Sequence, residues 1–281
     1  MRYFFYSILF FFFNLVKGQE YLLEYSFSDM LANKSTADLI IKGNESVFKV
    51  NDGKNNQGDA LKQSEYKPNT LVLSRKNTDK LSAFSYTNQN EIFVRIPYVK
   101  GREKEFVYKF NSEKLNWQIT NETKQINKYS CQKATLQLHG RYYEVWFTTE
   151  IPIKFGPFRL NGLPGMIVEA RVSVDSDSFT TGGTWRLLSV SNKDNHEAFS
   201  FHKNFFVNNE VMTYSDYEKA ASEAMLEFKR KELAQDAAFD AKWAKEHGTE
   251  PTGEMIYGKD YFTGYLFDIP EGIREKLEKL N

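Results

Sequence analysis

Residues 134–147 read ATLQLHGRYYEVWF, and this stretch decides the fold class. Apolar and polar residues alternate on both sides of Gly140-Arg141, which is the period of a β-strand with one buried face. A glycine at the centre of such a pattern favours a tight turn, so the stretch predicts an antiparallel hairpin. The apolar positions are Ala134, Leu136, Leu138, Tyr143, Val145 and Phe147.

Strand-like runs continue outward from this hairpin, from Tyr21 to about Phe206. They are rich in aromatic and β-branched residues and are separated by polar clusters. We expect a mainly β (α+β) protein, with a curved antiparallel β-sheet or partial barrel over residues 19–210. The runs are Tyr21 to Phe27, Leu71 to Leu73, Ile92 to Tyr98, Phe106 to Phe110, and a second hairpin of Met166 to Val174 and Trp185 to Val190 joined by the loop Asp175 to Gly183.

The hydrophobic period changes at Tyr214, where a helical pattern begins. Ser215 with Glu218 three residues later forms a capping-box pattern, and apolar residues then recur at helical spacing. Gly248 followed by Pro251 predicts the end of the helix. A short charged helix is expected from about Glu271 onward, so residues 211–281 are interpreted as a long helical C-terminal segment.

The first 18 residues have the layout of a signal peptide. A positive start at Arg2 precedes a run of phenylalanine and aliphatic residues, and Val16 and Gly18 occupy the positions before a cleavage site. The apolar run is shorter than the ~20 residues that a membrane-spanning helix requires. We therefore predict a secreted or periplasmic protein that begins at Gln19 and has no transmembrane segment after cleavage.

Composition excludes several classes of function. Acidic and basic residues balance at 37 each, so no overall field attracts nucleic acid. Cys131 is the single cysteine, which rules out an internal disulfide and favours a buried, structural thiol.

No catalytic or metal-binding motif is recognisable. Cys131 and His139 have an even spacing, but eight residues of strand separate them by about 26 Å. The four histidines (His139, His196, His202 and His247) form no close pair, so we expect no metal site and no cofactor. Glu150, Glu169 and His139 are candidates for an acid or base without a spacing argument that prefers any of them.

Special residues are concentrated between Trp117 and Glu169, and this segment resembles the GLPGLI family of exported proteins. Met166 stands where the family name has leucine, which is a conservative change. The resemblance implies an exported protein of Gram-negative bacteria with a mainly antiparallel β fold, and the family has no established activity. The matching elements are Tyr129, Cys131, Lys133-Ala134, Trp146, Glu150-Ile151-Pro152-Ile153, Gly156-Pro157 and Gly162-Leu163-Pro164-Gly165-Met166-Ile167.

This segment allows two interpretations, a rigid corner of the sheet or a loop that contacts a ligand. The function we favour is a non-catalytic exported binding or cell-envelope accessory protein, with an envelope protein, a peptide or a lipid as partner. The alternative is a secreted hydrolase acting on peptide or glycan. The candidate site residues are Trp117, Cys131, Trp146, Gly156, Pro157, Gly162, Leu163, Pro164 and Gly165.

Overall fold

The computed structural model describes residues 20–28, 34–51, 83–96, 105–173, 183–192, 195–248 and 272–280. Within these ranges twelve strands form one sheet. The strands are β1 (Glu20–Ser28), β2 (Lys34–Lys42), β3 (Glu45–Asn51), β4 (Ala83–Asn88), β5 (Glu91–Ile96), β6 (Phe106–Asn111), β7 (Gln118–Ile126), β8 (Tyr129–Leu138), β9 (Arg141–Thr148), β10 (Met166–Ser173), β11 (Thr184–Ser191) and β12 (Met212–Thr213). The helices are α1 (His196–Asn208), α2 (Tyr214–His247) and α3 (Ile273–Glu278).

The strand order is β12-β6-β5-β4-β3-β2-β1-β11-β10-β9-β8-β7. Two meanders, β1 to β6 and β7 to β11, are joined where β1 pairs with β11. All pairs are antiparallel except the short β12, which runs parallel to β6. The structure thus confirms the mainly β class and both predicted hairpins. The predicted run at Leu71 to Leu73, the loop around Asp175 and the signal peptide lie outside the described residues.

The sheet is strongly curved. Strands β6 and β9 are eight positions apart in the strand order, which is about 38 Å along a flat sheet at ~4.8 Å per strand. Nevertheless the guanidinium of Arg159 contacts Tyr108 on β6 and Tyr143 on β9, with N···O distances of 2.8 and 2.7 Å. The sheet therefore wraps around Arg159, and the side that faces Arg159 is called the inner face below.

The first turns of α2 cover part of the inner face. Tyr217 is fully buried and stacks on Tyr108 with ring centroids 4.7 Å apart, and it also meets Phe106 edge to face. The helix begins at Tyr214 as predicted, but the expected cap at Ser215 is wrong. Thr213 is the N-cap and accepts a hydrogen bond from the backbone N–H of Asp216, because the end of β12 fixes the entry point two residues earlier. Gly248 ends the helix in the left-handed conformation, as predicted.

The strand-like interpretation of the segment up to Phe206 is wrong for residues 196–206, which lie in α1. Its buried residues Phe199, His202 and Phe206 recur at helical spacing, and Phe199 and Phe206 pack on the outer face of the sheet against Tyr86 and neighbouring apolar residues. Aromatic residues favour strands, so the high phenylalanine content of this segment concealed its helical period.

His202 makes folding sensitive to acid. Burial lowers the pKa of His202 from 6.5 to about 4, and the cations Lys49 and Arg95, which form ion pairs with Asp38 and Glu105, act in the same direction. The folded state favours the neutral ring of His202. The contribution of this ring to the free energy of unfolding is therefore complete above pH 6.5 and is lost as the pH falls toward 4.

We expect the free energy of unfolding to fall by up to about 3 kcal/mol between pH 6.5 and pH 4 because of this one group. Urea denaturation at several pH values measures the slope. The variant His202→Gln cannot titrate there and should show a flatter dependence. Equal slopes in both proteins would contradict the assignment to His202.

Candidate functional site

Residues 149–165, which connect β9 to β10, lie along the inner face and are called the inner segment. The segment reaches β4, on the far side of the curved sheet. Ser85 donates to the carbonyl of Phe158, and the Asn161 side-chain amide donates to Thr87 Oγ1 at 3.0 Å. The carbonyl of Asn161 in turn accepts from the indole N–H of Trp117 at 2.8 Å. The segment is therefore held from both halves of the sheet.

Arg159 fixes the centre of the inner segment. It is fully buried, and its guanidinium donates to the Tyr108 and Tyr143 hydroxyls and lies 5.0 Å from the ring centre of Phe158. The His139 Nδ1 lies 3.3 Å from Arg159 Nη1. A planar guanidinium with several fixed donors suits a position that must hold groups from different strands at once.

Close packing explains why two of the three glycine positions in the inner segment, which includes the GLPG motif, cannot hold a larger residue. A Cβ on Gly156 would overlap the Leu160 carbonyl oxygen, and one on Gly165 would overlap the backbone of Thr148. Gly162 instead has φ +91°, a conformation that glycine adopts readily. Gly165 lets β9 and β10 approach each other closely.

A cleft of about 290 Å³ opens beside the inner segment. Its walls come from the β4–β5 turn, from the 3-10 turn after β6 at Ser112–Lys114, and from residues 154–162. The two turns lie at one edge of the sheet because β5 pairs with both β4 and β6. A backbone hydrogen bond of 2.6 Å from Ser112 N–H to the Asn90 carbonyl joins them.

Aromatic and polar side chains line the cleft together. Trp117 and Phe155 supply flat apolar surface. The hydrogen bond from the Trp117 indole N–H to the Asn161 carbonyl fixes the orientation of the indole. Asn90 donates to Glu113 Oε1 at 2.9 Å, and the exposed Lys154 has its ammonium 5.3 Å from the Phe155 ring centre. The arrangement offers an apolar platform with hydrogen-bonding groups at its border.

The structure brings only part of the predicted site set to this cleft. Trp117 and Gly162 line it, while Pro164 is exposed nearby in sequence. Trp146 alternates with Val145 and Phe147 of the inner face, so it lies on the outer face, where Lys124 covers its ring at 4.1 Å. The remaining candidates are buried without lining the cleft: Cys131, Gly156, Pro157, Leu163 and Gly165.

Sequence reasoning missed the polar residues of the cleft, namely Asn90, Glu113, Lys154 and Asn161. Asn90 and Glu113 belong to turns far from the motif along the chain. The meander β4-β5-β6 was the available signal, since consecutive hairpins place alternate turns at the same edge of a sheet.

Cys131 is buried, and burial raises the pKa of its thiol, with Glu150 and Glu169 acting in the same direction against Lys124. The thiol is the less nucleophilic form, so this environment opposes reactivity. The structural interpretation of Cys131 agrees with this placement.

The three acid or base candidates do not form a catalytic group. Burial opposes ionisation of Glu169, but hydrogen bonds from Arg186 and Lys124 outweigh it and lower the pKa, so the carboxyl is ionised near neutral pH. Glu150 accepts from the Ser130 N–H, whereas His139 stacks on Tyr214 with ring centroids 3.4 Å apart. Among the described residues, no group of three or more metal-ligating side chains gathers.

Of the helices in the described ranges, none combines the length and the apolar composition needed to cross a membrane.

Comparison with known proteins gives a family match. The model of the family described as "N-glycanase peptide, N-terminal domain" matches residues 48–216. Two crystal forms of PNGF-II are similar in structure, at 16% and 17% identity, each with a TM-score of 0.45 and each covering 73% of this chain. The chain spans 33% and 34% of their lengths. A LolA superfamily protein from Nitrosomonas europaea has 9% identity and a TM-score of 0.24, covering 64% of this chain and 89% of its own. No curated protein matches the sequence significantly.

Proposed function

The chain belongs to the family described as N-glycanase peptide, N-terminal domain, and from that membership and the cleft beside Trp117 we propose an exported, non-catalytic module that binds a glycan-bearing partner. The observation that carries the proposal is the cleft itself. An oriented indole bordered by amide, carboxylate and ammonium groups is a binding surface for a ligand with an apolar face and a polar edge.

Three further features support the proposal. The family description refers to an N-glycanase, so a glycosylated protein or peptide is a reasonable partner for an accessory module. The signal-peptide pattern of residues 1–18 and the GLPGLI resemblance both favour export, where glycosylated material is met. Much of the inner segment is buried and hydrogen-bonded, which gives the cleft a preformed wall and lowers the ordering cost of binding.

Capture of a glycoprotein tests the proposal. We expect the mature protein to bind an immobilised N-glycoprotein and to bind the enzymatically deglycosylated form at least tenfold less tightly. The variant Trp117→Ala should lose at least tenfold in affinity, or about 1.4 kcal/mol, because it removes the platform of the cleft. Surface plasmon resonance measures both differences.

A matched control comes from strand β7, which begins directly after Trp117. Ile119 lies two residues after Trp117, is 48% exposed and does not line the cleft, so Ile119→Ala should bind like the unaltered protein. Thermal unfolding of each variant separates loss of binding from loss of fold. Equal capture of glycosylated and deglycosylated protein would remove the proposal, and release of free glycan or peptide during incubation would favour the hydrolase alternative.

A further inference from the structure

The size and shape of the cleft limit what it can hold. A volume of about 290 Å³ is at the lower end of the ~300–1,000 Å³ range of small-molecule sites. Leu115 and Phe155 are buried and form apolar wall, while Trp117 presents a half-buried ring. A compact ligand with one flat apolar face therefore fits better than an extended chain.

The border of the cleft is polar at several points. Asn90, Gln89 and Ser112 supply amide and hydroxyl groups that both donate and accept hydrogen bonds. A purely apolar ligand would displace water from these groups without replacing the hydrogen bonds of the water, which opposes binding of such a ligand. A pyranose ring combines an apolar C–H face with hydroxyl groups around its edge, and so matches both the platform and the border.

The two charged side chains of the cleft differ in their hydrogen bonding. Of the described residues that line it, only Glu113 and Lys154 ionise. Glu113 and Lys154 are both exposed, but the Glu113 carboxylate accepts a hydrogen bond from Asn90, whereas the Lys154 ammonium lies over the Phe155 ring on a flexible stem. An anionic ligand would meet the anchored carboxylate, while a neutral ligand could donate hydroxyl hydrogens to it.

We infer that the cleft binds one or two neutral sugar rings stacked on Trp117, and that Glu113 is the residue that selects them over acidic sugars. This inference rests on the proposed function and adds the ligand class and a specificity-determining residue. Hydrogen bonds from sugar hydroxyls to an ionised carboxylate are charge-assisted, which strengthens neutral binding while like charge weakens acidic binding.

Methyl β-glucoside and methyl β-glucuronide provide the test, because they differ only in a hydroxymethyl group against a carboxylate. Isothermal titration of the folded protein should give a glucoside affinity at least tenfold higher than that for the glucuronide at low salt. The ratio should shrink at high salt, where screening reduces the repulsion. Glu113→Gln should bring the ratio close to one, whereas Lys154→Gln should leave the preference for the neutral sugar in place.

Equal binding of the two sugars, tighter binding of the glucuronide, no binding of the glucoside, or an unchanged ratio in Glu113→Gln would each overturn the inference. These outcomes are separable from the proposed function. If the protein still captures the glycoprotein through Trp117, the proposed function stands and only the ligand class fails. If capture fails as well, both fail.

Discussion

Replacing Arg159 with leucine is expected to lower the free energy of unfolding by roughly 2–4 kcal/mol, because two buried tyrosine hydroxyls each lose a hydrogen-bond donor. The guanidinium donates to the hydroxyls of Tyr108 and Tyr143, which belong to opposite parts of the curved sheet. Leucine keeps much of the volume but supplies no donor. Urea denaturation followed by circular dichroism measures the loss.

Two comparisons make this prediction specific. Lys154→Leu changes an exposed cation of the same inner segment and should alter stability by less than about 0.5 kcal/mol. Combining Arg159→Leu with Tyr108→Phe and Tyr143→Phe removes the polar atoms that Arg159 serves, and should recover part of the stability. A triple variant less stable than Arg159→Leu alone would contradict the proposed role of the two hydroxyls.

Gly165→Ala is expected to destabilise the protein by roughly 3 kcal/mol, at the upper end of the usual cost of overpacking. The added methyl group would overlap the backbone of Thr148 and Thr149, which cannot rotate away as a side chain can. Strands β9 and β10 would have to separate where Met166 pairs with Thr148. Thermal unfolding and amide exchange in β10 would both report the change.

Pro164→Ala is the matched control for this position. Pro164 is exposed, and alanine tolerates the φ of proline, so its effect should be below about 1 kcal/mol. If Gly165→Ala were as stable as Pro164→Ala, the close approach of the two strands would not be the reason for glycine here.

The GLPG motif shows which features the sequence predicts and which only the structure reveals. The sequence predicted a strand from Met166 directly after the motif, and β10 does begin at Met166. Composition could not show that the segment lies buried against β4 rather than at a corner of the sheet. That placement depends on Ser85, Thr87 and Tyr108, which are remote in sequence and meet it only through curvature of the sheet.

Two expectations stay predictions. The signal peptide and cleavage before Gln19 fall on residues outside those described, and the family match over residues 48–216 does not test the GLPGLI resemblance. Intact-mass measurement of exported material would decide the first.

The sequence by itself determined seven of the twelve strands, the two hairpins and the start and end of α2, because these depend on local period and on turn and stop residues. The sequence did not predict β2, β3, β4, β7 and β12. The hairpin at 134–147 was confirmed with its turn at His139-Gly140, both in positive φ, one residue earlier than expected. Only the tertiary structure decided that α1 is helical, that Trp146 and Trp117 lie apart, and that Asn90, Glu113 and Trp117 share one cleft. Those facts depend on how a twelve-stranded sheet curves and which turns it brings to one edge, and no local pattern in the chain contains that information.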